Sequence, residues 1–365
     1  MTIFAKKKQN PYEKLAKTLN RIPNGFAPVE DGSHLKVLEW VFEPEEAEIA
    51  CKMKLTGETL KKLSRRLKIP IEILSEKIDT MKKKGQIRVV HTKKGLKYGI
   101  LPFVIGFYED QLHRMDAEFA QIIEDYFTKS RGEILFSESP AIHRVVPVKS
   151  VIKTDLAIHP RNEAEKMVRN AKSWGIRECI CRKQQELIGN SCKYSMSVCL
   201  SFSSRENAYK DSNAMEPITL DEALNVLKEA EDAGLIHTTM NVNEGQNYIC
   251  NCCTCCCGVL SALVKFDQPN AITNSDYIIY VDEESCTGCE NCIDRCQFKA
   301  LEIINDKSTV NEKCVGCGVC AVVCPENALS LIPRKPSEIE KPPKNITFWM
   351  IKRAIRRKIN LFKVL

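Results

Sequence analysis

Between Cys286 and Cys324 the chain spells C-x-x-C-x-x-C-x-x-x-C twice, first as Cys286, Cys289, Cys292 and Cys296, then as Cys314, Cys317, Cys320 and Cys324. Each cysteine stands 28 positions from its counterpart. The apolar residues behind each run, Ala300, Leu301 and Ile303 against Ala328, Leu329 and Leu331, keep that offset, as an internal duplication would. Eight thiolates make two sets of four, the number a cubane 4Fe–4S cluster takes, and the short spacings let one loop wrap three irons of a cube. A pair of zinc sites also uses C-x-x-C, but a doubled string ending in Cys324-Pro325 is much more specific to iron and sulfide.

Over roughly residues 276 to 332 the segment resembles the bacterial two-cluster ferredoxin domain, with the Cys-Pro ending and with Gly288, Gly316 and Gly318 between ligands. The fourth cysteine of each run is then expected to cross over. The resemblance implies Cys286, Cys289, Cys292 and Cys324 for one cluster, and Cys314, Cys317, Cys320 and Cys296 for the other. Gln297 departs from the family, which usually has proline there, and leaves all eight ligands in place.

Nineteen cysteines with no secretory leader point to a reducing compartment, where such a count means metal rather than disulfides, and so to a cytoplasmic protein. The formal charge of +7 gathers at the two ends, including Lys6, Lys7 and Lys8, which favours contacts with acidic partners or surfaces over a nucleic-acid channel.

The fold class expected is α+β multidomain. Residues 1–32 read as a basic extended arm. Residues 33–100 read as a winged-helix-like domain, with helical periodicity from Leu35 to Met81 and two strands around Lys93-Lys94-Gly95. DNA binding there is disfavoured, because Glu72, Ser75, Glu76 and Asp79 occupy the exposed positions of the helix that would meet phosphate, and protein docking is preferred. Residues 101–150 read as a helical connector with a helix from about Tyr108 to Phe127, 151–270 as a cysteine-rich α+β metal-binding domain, and 271–333 as the two-cluster ferredoxin domain. Residues 334–365 read as a linker and a basic amphipathic tail helix.

The middle segment holds ten further cysteines: Cys179, Cys181, Cys192 and Cys199, then Cys250, Cys252, Cys253, Cys255, Cys256 and Cys257. Between the two groups runs an amphipathic helix opened by Thr219 and Glu222 and closed by Gly234. It would bring the second group back to the first, giving thiols enough for one further iron–sulfur cluster or two. Adjacent cysteines point to opposite faces of extended backbone, so each can serve a different centre. Zinc and redox-active thiols are the rival uses. Arg182 and Lys193 lie beside these ligands, and cations there would raise a cluster's potential.

In the tail, Phe348, Ile351, Ile355, Ile359 and Phe362 share a helical face among basic residues, which suits an anionic membrane, a partner's groove or the protein's own surface. The whole arrangement resembles multidomain 4Fe–4S ferredoxin-type proteins of anaerobic bacteria and archaea. The expected function is electron transfer to a redox partner protein or oxidoreductase complex, in the cytoplasm or peripheral at the inner face of the membrane. No catalytic residue, nucleotide loop or dinucleotide fingerprint stands out. Two rival functions are an oxidoreductase with a substrate-binding cluster in the middle domain, and a redox-responsive DNA-binding regulator.

Overall fold

The computed structural model describes residues 10–93, 95–153, 158–212 and 214–360. The chain divides into two units, Met1–Leu135 with Arg353–Leu365, and Phe136–Lys352.

The first unit opens on α1 (Pro11–Asn20), capped by the Asn10 side chain, which accepts from the Tyr12 amide at 2.9 Å. Leu15, Ala16 and Leu19 form a buried stripe on α1, so the stretch read as an extended arm over 1–32 contains a packed helix. Its four-residue apolar spacing was too short to stand out from the basic residues around it. Lys6, Lys7 and Lys8 lie outside the described residues. There follow α2 (Ser33–Val41), α3 (Pro44–Ala50), α4 (Leu60–Leu67) and α5 (Ile71–Lys83), then β1 (Ile87–Thr92) and β2 (Gly95–Ile100) as an antiparallel hairpin. Lys94, at the expected turn, lies outside the described residues. Tyr98 of β2 also bridges Glu58, tying the hairpin to the chain ahead of α4.

The expected helix from Tyr108 is shorter: α6 (Ala117–Ser130) starts where Asp116 accepts from the Phe119 amide at 2.8 Å. Phe26, Phe103, Phe107, Phe119 and Tyr126 are buried in this unit, and the Tyr126 hydroxyl donates to the Ala27 carbonyl. Fully buried Arg353 donates to the carbonyls of Pro23, Ile134 and Leu135 at 2.5–2.9 Å.

The second unit is built on a seven-stranded sheet. In chain order its elements are β3 (His143–Val145), α7 (Ala164–Arg169), β4 (Ser173–Glu178), α8 (Ile180–Leu187), β5 (Ser197–Ser203), β6 (Glu216–Ile218), α9 (Leu220–Ala233), β7 (Ile236–Met240), β8 (Tyr248–Cys252), α10 (Gly258–Phe266) and β9 (Ile272–Thr273). The strands lie in the order β6-β4-β5-β8-β7-β3-β9, antiparallel except for β3 with β9. Leu200, Phe202 and Ile249 alternate onto one face, where Val168 of α7 and Ala223 and Leu227 of α9 close a core. Because β3 and β9 belong to this sheet, it takes in residues 143–145 and 272–273, beyond the expected 151–270. The expected connector 101–150 is likewise divided, Leu135 ending one unit and Phe136 opening the other. Strands of two or three residues carry no readable period, so their partners alone define them.

After β9 in the chain, β10 (Tyr277–Val281) pairs antiparallel with β13 (Leu329–Pro333), and β11 (Leu301–Ile304) with β12 (Lys307–Val310), while α11 (Asn291–Arg295) sits inside the first cysteine run. Asp276 anchors this segment to the sheet. It accepts from Arg144 of β3 at 3.1 Å, from Arg161 at 2.6 Å and from Asn162 at 2.8 Å.

The last helix, α12 (Ile346–Arg356), spans the division between units. Within the second unit, Trp349 is fully buried and its indole N–H donates to Ala141 O at 2.9 Å, while Phe348 and Ile351 stay exposed. Phe362 of the expected stripe lies outside the described residues, and Ile359 follows the helix end. Among the described residues no helix is long and apolar enough to cross a membrane.

Candidate metal centres

The C-terminal cysteine loops need glycine. Gly288 (φ +71°) and Gly316 (φ +70°) occupy the same place in the two runs, and a Cβ on either would meet a carbonyl oxygen, Asp306 O at 2.4 Å or Tyr277 O at 1.9 Å. These turns fold each run back on itself. Cys286, Cys289, Cys292 and Cys324 line one cavity with Gly288, Ile303 and Leu329. Three come from the first run and the fourth from the second, brought in by the turn Ala321–Val323. The charge of Cys296 opposes the ionisation of Cys317 and Cys320. Burial pushes the Cys317 thiol up to about 12, with neighbouring Cys314 and Cys296 adding to it. Backbone amides aim at the sulfurs with the same 28-residue period: Ala300 N to Cys296 Sγ and Ala328 N to Cys324 Sγ, both 3.3 Å. Ser308 N reaches Cys286 Sγ at 3.4 Å. Buried thiols with inward amides suit an anionic cluster, whose sulfur ligands carry the charge.

The ten middle thiols come together in space and divide into a six and a four. Leu200 of β5 is paired with Ile249 of β8, so alternation puts Cys199, Cys250 and Cys252 on the face opposite that core. Cys179 caps α8, Cys181 lies in its first turn and Cys257 caps α10. Thiol hydrogen bonds run from Cys199 to Cys179, Cys181, Cys257, Cys252 and Cys250 in turn. Cys179 is held well below the ordinary thiol range by its bonds from Cys181 and Cys199, with Arg182 assisting against burial. For Cys250 the bond from Cys252 works downward, but burial and the neighbouring thiols prevail and carry it to about 11. The helix N-terminus at Cys179 also favours thiolate, whereas at Cys257 the bond to Cys181 works downward but the bond to Cys252 and burial prevail and push the thiol up.

Of the remaining four, Cys253, Cys255 and Cys256 follow the end of β8, and Cys192 lies between α8 and β5. Cys253 and Cys256 pack with Val198, Ala230 and Leu235, and Cys192 and Cys255 join them. The four sulfurs all lie within 4.8 Å of one another. The bond from Cys256 holds the Cys253 thiol down at about 5, with Arg182 helping against burial. Arg182 is almost wholly buried, donates to Ser195 O at 2.7 Å and Asn251 O at 2.9 Å, and touches the Cys253 thiol. Burial would lower its guanidinium, but the thiolates of Cys179 and Cys253 raise it. Lys193 instead lies over the Tyr194 ring at 5.4 Å.

Sequence reasoning missed the task of Gln297. Its Oε1 accepts from the Thr254 amide at 2.8 Å, between Cys253 and Cys255, and its Nε2 donates to Gly234 O at 2.5 Å. The residue after Cys296 thereby ties the ferredoxin-like segment to the middle cysteine loop. Its departure from proline was the available signal. A proline carries no such side chain.

Residues 279–302 and 309–330 match the family described as a 4Fe-4S binding domain. No curated protein and no solved structure matches the chain. The match over the cysteine repeat and the clustered middle thiols make this an iron–sulfur protein, with a C-terminal segment of electron-transfer capacity and helices and sheets mixed through the rest.

Proposed function

We propose that the protein carries single electrons between redox partners, using two 4Fe–4S clusters in residues 271–333 and at least one further iron–sulfur centre in the middle segment. Bound iron–sulfur clusters supply one-electron redox chemistry. The observation that carries the reading is the cavity lined by Cys286, Cys289, Cys292 and Cys324, three thiols of one run and the last of the other. Cys314, Cys317, Cys320 and Cys296 take the second cluster.

The chain's own residues would hold the charge. Ala300 N, Ala328 N and Ser308 N donate to ligand sulfurs and stabilise added negative charge on them. In the middle segment Cys179, Cys181, Cys199, Cys250, Cys252 and Cys257 offer more thiols than one cubane requires, with Arg182 beside them as counter-charge. Gln297 fixes the spacing of the two cysteine regions, as a relay between centres needs.

The front helices and hairpin, which we read as winged-helix-like, serve as a docking surface for protein. Exposed on α5 are Ile71, Glu72, Ile73, Glu76, Asp79 and Thr80, with Lys82 and Lys83 at its end; the acids oppose phosphate and the isoleucines offer apolar contact. Exposed Phe348 and Ile351 on α12, beside Lys352, suit an anionic membrane surface at the cytoplasmic face.

Anaerobic purification with iron and sulfide analysis tests the proposal. We expect at least about twelve irons per chain, by the four-iron stoichiometry of a cubane, and a paramagnetic signal after dithionite. No more than about eight irons after reconstitution would remove the middle iron–sulfur centre, and a colourless protein would remove the proposal entirely.

A further inference from the structure

The sulfurs of Cys192, Cys253, Cys255 and Cys256 all lie within 4.8 Å of one another, close enough for one ion to reach all four. Cys192 Sγ stands 3.5 Å from Cys255 Sγ and 3.8 Å from Cys253 Sγ, and Cys255 Sγ stands 3.6 Å from Cys256 Sγ. Four sulfurs bound to one ion at about 2.3 Å occupy a tetrahedron with edges of about 3.8 Å. Four sulfurs bound to the four corners of an iron–sulfide cube stand farther apart, because the cube's own edges lie between them. The C-terminal thiols differ in their surroundings: Cys286, Cys296 and Cys324 take hydrogen bonds from backbone amides, and Cys286, Cys289, Cys292 and Cys324 line a cavity.

We infer that Cys192, Cys253, Cys255 and Cys256 bind a single metal ion, zinc or iron, as a tetrahedral tetrathiolate separate from the six-thiol centre. Both ions take this geometry with soft sulfur ligands. A divalent ion with four thiolates carries two negative charges. Buried Arg182, in contact with Cys253, supplies a positive charge against them. The loop is shaped beforehand: Gln297 holds the Thr254 amide, and Thr254 O accepts from the Ser261 hydroxyl at 2.9 Å. Exposed Cys255 gives an ion a way in. The inference leans on the proposed function only in leaving the other six thiols to iron and sulfide.

The test uses the full-length protein, purified without oxygen, and a variant carrying both Cys192→Ser and Cys255→Ser. Metals and acid-labile sulfide are counted per chain in each. The expected result is the loss of one metal atom per chain, with sulfide and the dithionite-induced signal unchanged. If the missing atom is zinc, the ion is structural. If it is iron, a high-spin ferric signal disappears with it and the ion is redox-active; either outcome supports the site. Loss of about four irons with four sulfides would mean a cube at these residues and would overturn the inference, as would no loss at all. Should the variant not fold, X-ray absorption and Mössbauer spectra of the unaltered protein decide. A zinc edge with four sulfurs and no metal neighbour, or one isolated ferric site, supports a single ion, whereas all iron in clusters and no zinc overturns it. A missing six-thiol cluster would show separately, as total iron no higher than the C-terminal pair can hold.

Discussion

Arg144 has no exposed surface, so its charge depends on Asp276, which also receives Arg161 and Asn162. Replacing Asp276 with Asn leaves a buried guanidinium without its counter-ion, and we expect a loss of about 3–5 kcal/mol in denaturant unfolding. Burial alone would raise the Asp276 carboxyl, but the Asn162 bond and the two guanidinia hold it below the ordinary range. A depressed folded value means the stabilisation is complete above about pH 4 and is lost as pH falls through the lower folded value. Unfolding measured down that range should show a flatter acid slope for Asp276→Asn. Cys324→Ser should remove one thiol from the Cys286 cavity and cost about four irons while the signal of the other cluster persists, which iron analysis with paramagnetic resonance would show. Neither Asp276 nor Arg144 stood out in the sequence, since a charge pair separated by 132 positions has no local pattern. Arg182 did, through its place beside Cys181, although only the fold shows that it is buried.

At the level of single elements, what could be read was what is locally encoded. The α9 helix carries its own start in the Thr219–Glu222 capping box and its own stop in Gly234 at φ +85°. The glycines at 288 and 316 likewise sit where the doubled cysteine string demands a turn. The division of the middle thiols was only half legible. Alternation along β8 separates Cys250 and Cys252 from Ile249, but the point where the strand ends, after Cys252, depends on its pairing with β7. The loop bond of Gln297 can be tested directly. Gln297→Ala leaves the Thr254 amide without that partner, and we expect a stability loss of about 1–3 kcal/mol with C-terminal iron content unchanged, measured by thermal melting and iron assay. On α12, Trp349 is committed inward, so only its outer residues are free to bind elsewhere. Phe348→Glu with Ile351→Glu should leave the fold intact and weaken sedimentation with anionic vesicles several-fold. Equal sedimentation would turn attention to a protein partner.

For the whole molecule, composition indicated several domains, but the division itself falls inside a stretch that reads as a connector. Long-range contacts set that division, and the short strands β3 and β9 joining distant segments left no trace in hydropathy. The exposed surface of α5 bears on what the front unit does. In gel-shift assays with oxidised and with reduced protein we expect no DNA binding at ordinary salt, and a retarded band that appeared in one redox state would establish regulation in place of electron carriage. A further consequence comes from Arg182, which stands against Cys253 of one thiol group and Cys179 of the other. One guanidinium cannot give its full attraction to both. Filling either nest therefore changes how firmly the other grips its own cargo, by the same factor in both directions, through a single shared side chain.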